Sequence, residues 1–290
     1  MFKLLTFFSG MLCAVSVLQS GQLGAFYGTY SSSVITHLVG LVAIALVFAC
    51  KRRSLPAKQR VAPWMFFGGV VGVGTVVLNN LAFSSVGVTA IVGLSLLGQS
   101  ITSLFVDQFG LFGAAKNPFH KGKLLGIAAV LAGSMVMVFP LSGANIAAVL
   151  MALATGFTIV VARTLNAQLA IRWGAMRSTV MNYVTGLAAS AVMLLLAGRG
   201  EPMLTDFQLS SNWFMYLAGA VGVVLTMTLN FTVSRVPAFA LTLLQFTGQI
   251  FTSLTLDAIL QGSFSVQSAI GGVFVALGLF LNTWMDNRRK

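Results

Sequence analysis

Ten apolar stretches, each of about 18 to 24 residues, follow one another along the chain with short polar gaps between them. A helix needs roughly 20 apolar residues to cross the hydrocarbon core of a bilayer. The pattern therefore predicts an all-α membrane protein with ten transmembrane helices. The predicted spans cover residues 4–23, 31–49, 64–84, 87–109, 123–140, 145–166, 178–197, 212–233, 237–260 and 266–285.

Composition agrees with this prediction and limits the classes of partner that we expect. Of the 290 residues, 57% are hydrophobic and 8% are charged, whereas a soluble domain carries about 25% charged residues. The net charge of +12 does not indicate a nucleic-acid partner, because no gap between spans is long enough to fold into a basic domain. We expect membrane lipids and a small-molecule substrate as partners, with no cofactor and no metal, since Cys13 and Cys50 lack the spacing of a metal site.

The positions of the positive charges predict the direction of the spans. With the N-terminus placed in the cytoplasm, fifteen Lys and Arg residues fall in gaps on the cytoplasmic side and one, Arg199, falls in an outer gap. Cytoplasmic loops of membrane proteins carry such an excess of Lys and Arg. We therefore expect a multi-pass protein of the bacterial inner membrane with both termini in the cytoplasm. The first apolar run also has features of a signal peptide, but the repeat described next requires it as the first helix.

The second half of the chain repeats the first. Residues 98–107 and 248–257 share the pattern GQxxTSLxxD at an offset of 150, and further matches occur at offsets of 145 to 150. We assign 1–141 to the first five-helix repeat and 142–290 to the second. Since five is an odd number of crossings, the second repeat enters the membrane from the opposite side. Inverted-topology repeats of this kind occur in many secondary transporters, where two halves move around a central site.

Polar residues recur every four positions in the fourth and ninth spans, so each set lies on one helix face. Unsatisfied polar groups are costly in hydrocarbon, and such a face should meet protein or a watery cavity. Gln99 and Gln249 lie near the middle of their spans. The predicted substrate-binding residues on these two spans are Ser95, Gln99, Thr102, Ser103, Gln245, Gln249, Thr252 and Ser253.

Other spans contribute further candidates. Asn80 and Asn230 either line the cavity or bond across helices, and His37 and its repeat counterpart Tyr183 complete the predicted binding residues. A proton relay through His37 is conceivable, although a packed, hydrogen-bonded histidine is the preferred interpretation.

Three charged residues are coupling or gate candidates. Asp107 and Asp257 lie at the ends of their helices, where helix-end or gate contacts compete with proton binding. Arg163 could meet an anionic substrate, but snorkelling to the cytoplasmic interface is preferred.

The chain resembles the drug/metabolite transporter superfamily, in particular its bacterial YdcZ-like branch. The residues that carry the resemblance in the first copy are Val34, Leu38, Gly40, Gly69, Gly72, Val86, Gly87, Gly98, Gln99 and Asp107. The second copy carries Asn182, Gly186, Gly248, Gln249 and Asp257, while Thr36 stands where the branch tends to have Asn. The resemblance implies a cavity lined by spans one to four and six to nine, with spans five and ten outside.

The function expected from these observations is secondary transport of a small metabolite or amphipathic solute by alternating access. The alternatives are a lipid flippase or scramblase and a non-transporting membrane subunit. An enzyme is not expected, because the sequence has no HExxH, no GxSxG and no pair of carboxylates at mid-membrane. Two repeats in one chain allow a monomer and do not forbid a homodimer.

Overall fold

The computed structural model describes residues 1–50, 59–83, 88–118, 124–138, 146–261 and 266–287. This part of the chain folds into helices and contains no strand. Ten of the helices have 15 residues or more: α1 Phe2–Tyr27, α2 Thr29–Cys50, α3 Gly68–Phe83, α4 Val88–Phe109, α5 Leu124–Val138, α6 Ile146–Trp173, α7 Ala175–Ala197, α8 Ala218–Thr232, α9 Ala238–Gln261 and α10 Val266–Asn287. Short helical turns, Pro63–Phe67 and Trp213–Tyr216, lead into α3 and α8.

The lengths and hydropathy of these helices are those of a multi-pass membrane protein. Within the described residues, seven helical segments are long and apolar enough to cross a bilayer: α1, α2, α6, α7, Pro63–Ala82, Trp213–Thr232 and Ala238–Leu256. Shorter apolar segments lie in α5 and α10, at Leu124–Val136 and Ala269–Gly278. The helices begin and end within about four residues of the corresponding predicted spans, apart from the end of α6 and the start of α8, which the short helix Trp213–Tyr216 precedes.

The sixth predicted span was too short, because α6 continues to Trp173. The helix ends at Gly174, whose φ of 84° belongs to the left-handed region that glycine adopts without steric cost. Gly28, with φ of 102°, separates α1 from α2 in the same way. In both helix pairs the turn is therefore made at a single glycine.

Glycines bring the backbones of neighbouring helices into contact. A Cβ added at Gly10 of α1 would lie 1.8 Å from the backbone oxygen of Gln245 in α9. A Cβ added at Gly156 of α6 would lie 2.2 Å from the backbone oxygen of Ser95 in α4. Since apolar surface gains little from leaving lipid, close van der Waals packing of small residues holds helices together in a membrane.

Helices α5 and α10 pack against each other and onto α4 and α9. A Cβ at Gly133 would lie 2.6 Å from the Gly271 backbone oxygen, and one at Gly278 would lie 2.6 Å from that of Gly126. An apolar cluster joins this pair to α4 and α9 through Val92, Leu96, Ile127, Val130, Phe239, Leu243, Phe246, Ile250 and Val275. The remaining helices, together with the inner faces of α4 and α9, form the central bundle.

We expect Gly156→Ala to lower the stability of the purified protein in detergent by about 1 to 3 kcal/mol, because the added methyl overpacks the α4–α6 contact. Gly74→Ala is the matched control, since its Cβ would meet the nearest atom, a methyl of Thr158, at 3.8 Å. Thermal unfolding of both variants measures the difference. Equal unfolding temperatures for the two variants would show that the contact tolerates a side chain.

Candidate functional site

A cavity of about 220 Å³ lies in the middle of the bundle. Its walls come from α1, α2, α3, α6, α7 and α8, with Ile91 of α4 and Gln245 of α9 completing them. Apolar side chains, amides and hydroxyls make up most of the surface, as in sites that bind small molecules. The polar lining residues are Cys13, Ser16, Ser20, Thr36, His37, Thr75, Asn79, Asn80, Arg163, Asn166, Asn182, Tyr183, Thr226, Asn230 and Gln245.

His37 and Tyr183 lie side by side in the wall, with ring centroids 5.8 Å apart. The Nδ1 of His37 donates a hydrogen bond to the backbone oxygen of Ser33 at 2.8 Å, and the Tyr183 hydroxyl donates one to the backbone oxygen of Gly219 at 3.2 Å. His37 is thus packed and hydrogen-bonded, and it also lines the cavity.

The two predicted asparagines line the cavity and bond across helices at the same time. Asn80 donates to the hydroxyl of Ser32 at 2.8 Å, and Asn230 donates to the hydroxyl of Thr179 at 3.1 Å. The two roles that the sequence left as alternatives are therefore compatible, because one amide has several hydrogen-bonding atoms.

Arg163 does not snorkel to the interface. Its side chain is 5% exposed and lies in the cavity wall. The guanidinium donates to Gln245 at 3.3 Å and to Gln99 at 3.5 Å through Nη1. Through Nη2 it donates to Ser103 at 3.0 Å, to the backbone oxygen of Ala238 at 3.2 Å and to the Thr242 hydroxyl. Helices α4 and α9 supply these acceptors, so the charge is held inside the bundle.

The polar residues that recur every four positions on α4 and α9 form a polar stripe along each helix. Most of this stripe lies behind the cavity wall. Gln245 lines the cavity, whereas Gln99 and Gln249 are buried and do not belong to the lining. The glycine contacts explain this placement, because a Cβ at Gly10 would lie 2.9 Å from the Gln249 backbone nitrogen. The stripe therefore faces the packed helices α1 and α6.

The smaller stripe residues also lie outside the lining, namely Ser95, Thr102, Ser103, Thr252 and Ser253. Ser95, Thr102 and Thr252 each donate a hydrogen bond to a backbone oxygen of their own helix, and Ser103 bonds the Thr242 hydroxyl at 2.7 Å. Substrate contact through these residues, and through Gln99 and Gln249, stays a prediction that the cavity geometry does not favour.

Sequence reasoning missed several polar residues of the lining. Asn166 donates to the side-chain oxygen of Asn182 at 2.7 Å, joining α6 to α7 at the cavity. Thr36 carries a buried oxygen, Oγ1, that has no hydrogen-bond partner in the described part of the chain, and the same holds for Oδ1 of Asn79. Asn79 was not missed, because the sequence predicts for it the same two alternative roles as for Asn80 and Asn230. A signal was present, because Thr36 and Asn182 stand at equivalent positions of the repeat, at an offset of 146.

Asp107 caps the start of α9 and does not reach the cavity lining. Its Oδ1 accepts a hydrogen bond from the backbone nitrogen of Ala238 and its Oδ2 accepts one from that of Phe239, both at 2.9 Å. Backbone N–H groups at a helix N-terminus have no partner within the helix, and a carboxylate is a favourable acceptor for them. The side chain of its counterpart, Asp257, lies outside the described residues.

A carboxylate also caps the first turn of α2. The carboxylate of Glu201, in the segment between α7 and α8, accepts hydrogen bonds from the backbone nitrogens of Tyr30 and Ser31 at 2.7 Å each. The same segment reaches the end of α1, where the Tyr27 hydroxyl donates to the backbone oxygen of Gln208 at 2.8 Å and bonds the Tyr216 hydroxyl. The 201–216 segment thus covers this end of α1 and α2.

Fold and cavity define a multi-pass membrane protein with an internal site of small-molecule size. The model of the family described as "Putative inner membrane exporter, YdcZ" matches residues 1–136 and 147–281. The chain therefore belongs to the YdcZ family of inner-membrane proteins. A solved structure, titled "Crystal structure of protein", has the same fold: it is 19% identical, with a TM-score of 0.71 over 100% of this chain and 98% of that chain. No curated protein matches the chain.

We expect Asp107→Ala to destabilise the first turn of α9 by about 1 to 2 kcal/mol, because two backbone N–H groups lose their acceptor. Hydrogen exchange at Ala238 and Phe239 should accelerate about tenfold. Asp206→Ala is the control, since this exposed carboxylate accepts from the Gln208 side chain. Unchanged exchange at both amides in Asp107→Ala would contradict the capping role.

Proposed function

We propose that the protein is a secondary transporter that exports a small solute across the inner membrane by alternating access. In this proposal ten helices cross the membrane as two inverted repeats, with both termini in the cytoplasm. The family description supports export, and the cavity between the helices supports solute binding. One observation carries the proposal, namely that the cavity lining is built from equivalent residues of the two halves.

Eleven pairs of lining residues stand at the repeat offsets. Six pairs, from α1 with α6 and α2 with α7, differ by 146 positions, and five pairs, from α3 with α8, differ by 150. The pairs are Cys13 with Ile159, Ser16 with Ala162, Val17 with Arg163, Ser20 with Asn166, Thr36 with Asn182, His37 with Tyr183, Gly72 with Gly222, Thr75 with Leu225, Val76 with Thr226, Asn79 with Leu229 and Asn80 with Asn230. A shared cavity around a two-fold axis requires such pairing.

Helix contacts exchange under the same offsets. A Cβ at Gly69 of α3 would lie 2.1 Å from the backbone oxygen of Asn182 in α7. A Cβ at Gly219, which begins α8, would lie 2.2 Å from the backbone oxygen of Thr36 in α2. Gly69 pairs with Gly219 and Asn182 pairs with Thr36, so the α3–α7 contact is repeated as the α8–α2 contact. This reciprocity supports two halves related by a two-fold axis.

A pair of similar halves has a direct consequence for transport. If each half can adopt the arrangement of the other, the cavity can open to either side through two states of similar energy. The closed end formed by the 201–216 segment over Tyr27 would be one of the gates. One chain supplies both halves, so a monomer is sufficient.

We expect reporter fusions after residues 56 and 204 to lie on opposite sides of the inner membrane, cytoplasmic and periplasmic respectively. The excess of Lys and Arg in the 51–60 gap retains that gap in the cytoplasm. Activity of a cytoplasmic and a periplasmic reporter at each site makes the measurement. The same side for both fusions would refute the inverted layout.

We expect Gly72→Leu to reduce export by at least about tenfold without unfolding the protein. Gly72 lines the cavity and its Cβ would meet no atom within 4 Å, so a leucine side chain would occupy space that the solute needs. The assay uses liposomes that contain the purified protein and a defined mixture of small metabolites, with mass spectrometry of the released solutes.

The matched control is Gly200→Leu, an exposed loop position where a Cβ also meets no atom within 4 Å. Both variants should retain the unfolding temperature of the unmodified protein to within a few degrees. Export by Gly72→Leu at the rate of the Gly200→Leu control would exclude this cavity as the route.

A further inference from the structure

The geometry points to an anion-binding subsite at Arg163: we propose that the solute carries a carboxylate or phosphate group, which binds the guanidinium in the cavity wall. This inference rests on the proposed function, since it names the chemical class of the exported solute. Two features support it, namely the N–H donors of Arg163 that are still available and the neutral groups that surround its charge.

The hydrogen bonds of Arg163 within the protein do not occupy all N–H donors of its guanidinium equally. Its Nη2 has three acceptors, on Ser103, Ala238 and Thr242. Nη1 makes two long contacts, 3.3 Å to Gln245 and 3.5 Å to Gln99, and Nε donates no hydrogen bond within the described residues. A guanidinium presents five N–H donors in a planar fork that fits a carboxylate or a phosphate. The N–H groups of Nη1 and Nε are therefore the donors that an oxygen of such a group can still engage, each through a separate hydrogen bond.

The acceptors around Arg163 are neutral, so its charge is solvated by dipoles. Asp107 interacts with it electrostatically, but both oxygens of that carboxylate accept hydrogen bonds from the start of α9. No Asp, Glu or Lys is among the described residues of the lining. A positive charge in a membrane interior is costly unless an anion or several dipoles compensate it, and an anionic solute would add this compensation while the Nη2 bonds stay in place.

The architecture itself does not require a charge at this place. The equivalent residue of the first half is Val17, which lines the opposite part of the same cavity. Of the eleven pairs of lining residues at the repeat offsets, this is the one pair that contains an Arg, Lys, Asp or Glu. An anionic ligand at this wall would account for a positive charge in only one half.

Cys13 provides a probe of the local charge, because it lines the same cavity. We would compare its reaction with the anionic 2-sulfonatoethyl and the cationic 2-(trimethylammonium)ethyl methanethiosulfonates in the full-length protein. Because Cys50 directly precedes Lys51, Arg52 and Arg53, it is replaced by serine, and Arg163→Gln in the same background is the reference. The anionic-to-cationic rate ratio at Cys13 should fall about tenfold in Arg163→Gln. An unchanged ratio in Arg163→Gln would overturn the proposal.

Binding is tested with probes that differ only in charge. Propionate, lactate and succinate are each compared with the corresponding neutral amide, and inorganic phosphate with chloride at equal ionic strength, by the shift in unfolding temperature. At least one anion should stabilise the protein saturably and its neutral counterpart should not. Arg163→Gln should weaken this binding at least about tenfold, since a charge-assisted pair is lost. Arg163→Lys should retain part of it.

Arg172→Gln is the matched control, because Arg172 lies at the end of the same helix and outside the lining. It should bind the anions like the unmodified protein. Equal shifts with anions and amides, unchanged binding in Arg163→Gln, or no binding of any anion by the unmodified protein would each overturn the subsite.

Flux measurements separate this proposal from the proposed function. Export of neutral metabolites from liposomes with no preference for anions would remove the anion subsite and leave the transporter intact. Absence of any flux, combined with anion binding that Arg163→Gln weakens, would remove the transporter and leave an anion-binding membrane protein.

Discussion

Direct contact between helix backbones is the constraint on which the rest of this structure depends. In a bilayer, apolar side chains gain little by leaving lipid, so helices associate through van der Waals contact and hydrogen bonds. Gly10 and Gly156 allow α1 and α6 to lie against the backbones of α9 and α4. These contacts fix which faces of the four helices are closed and which remain beside the central cavity.

The same contacts decide where charge can be placed. With α4 and α9 held against α6, Arg163 finds its acceptors in the wall, and Asp107 reaches the free N–H groups at the start of α9. Both side chains thus meet the first turn of α9, one through a carbonyl oxygen and the other through amide hydrogens. A movement of α9 relative to α4 would have to break these bonds, which ties the cavity wall to the ends of the helices.

The lining combines paired positions with a single charge. Most of its residues stand in pairs at the repeat offsets, although several pairs join a polar residue to an apolar one, such as Asn79 with Leu229. Among the described lining residues, the pair formed by Val17 and Arg163 is the one that contains an Arg, Lys, Asp or Glu.

The hydrophobic pattern by itself determined the order of the helices and their approximate bounds, because a bilayer fixes the length of an apolar segment independently of its neighbours. Residue spacing also predicted an internal repeat and selected His37, Tyr183, Asn80 and Asn230, all of which line the cavity. Only the tertiary structure decided which face of α4 and α9 meets the cavity, because helical periodicity places residues on a common face but does not say what that face contacts. The polar stripe, with Gln99 and Gln249, therefore lies in packed contacts. Arg163 lies in the cavity wall because its hydrogen-bond acceptors there are 60 or more residues away in the chain, where the sequence pattern does not reveal them.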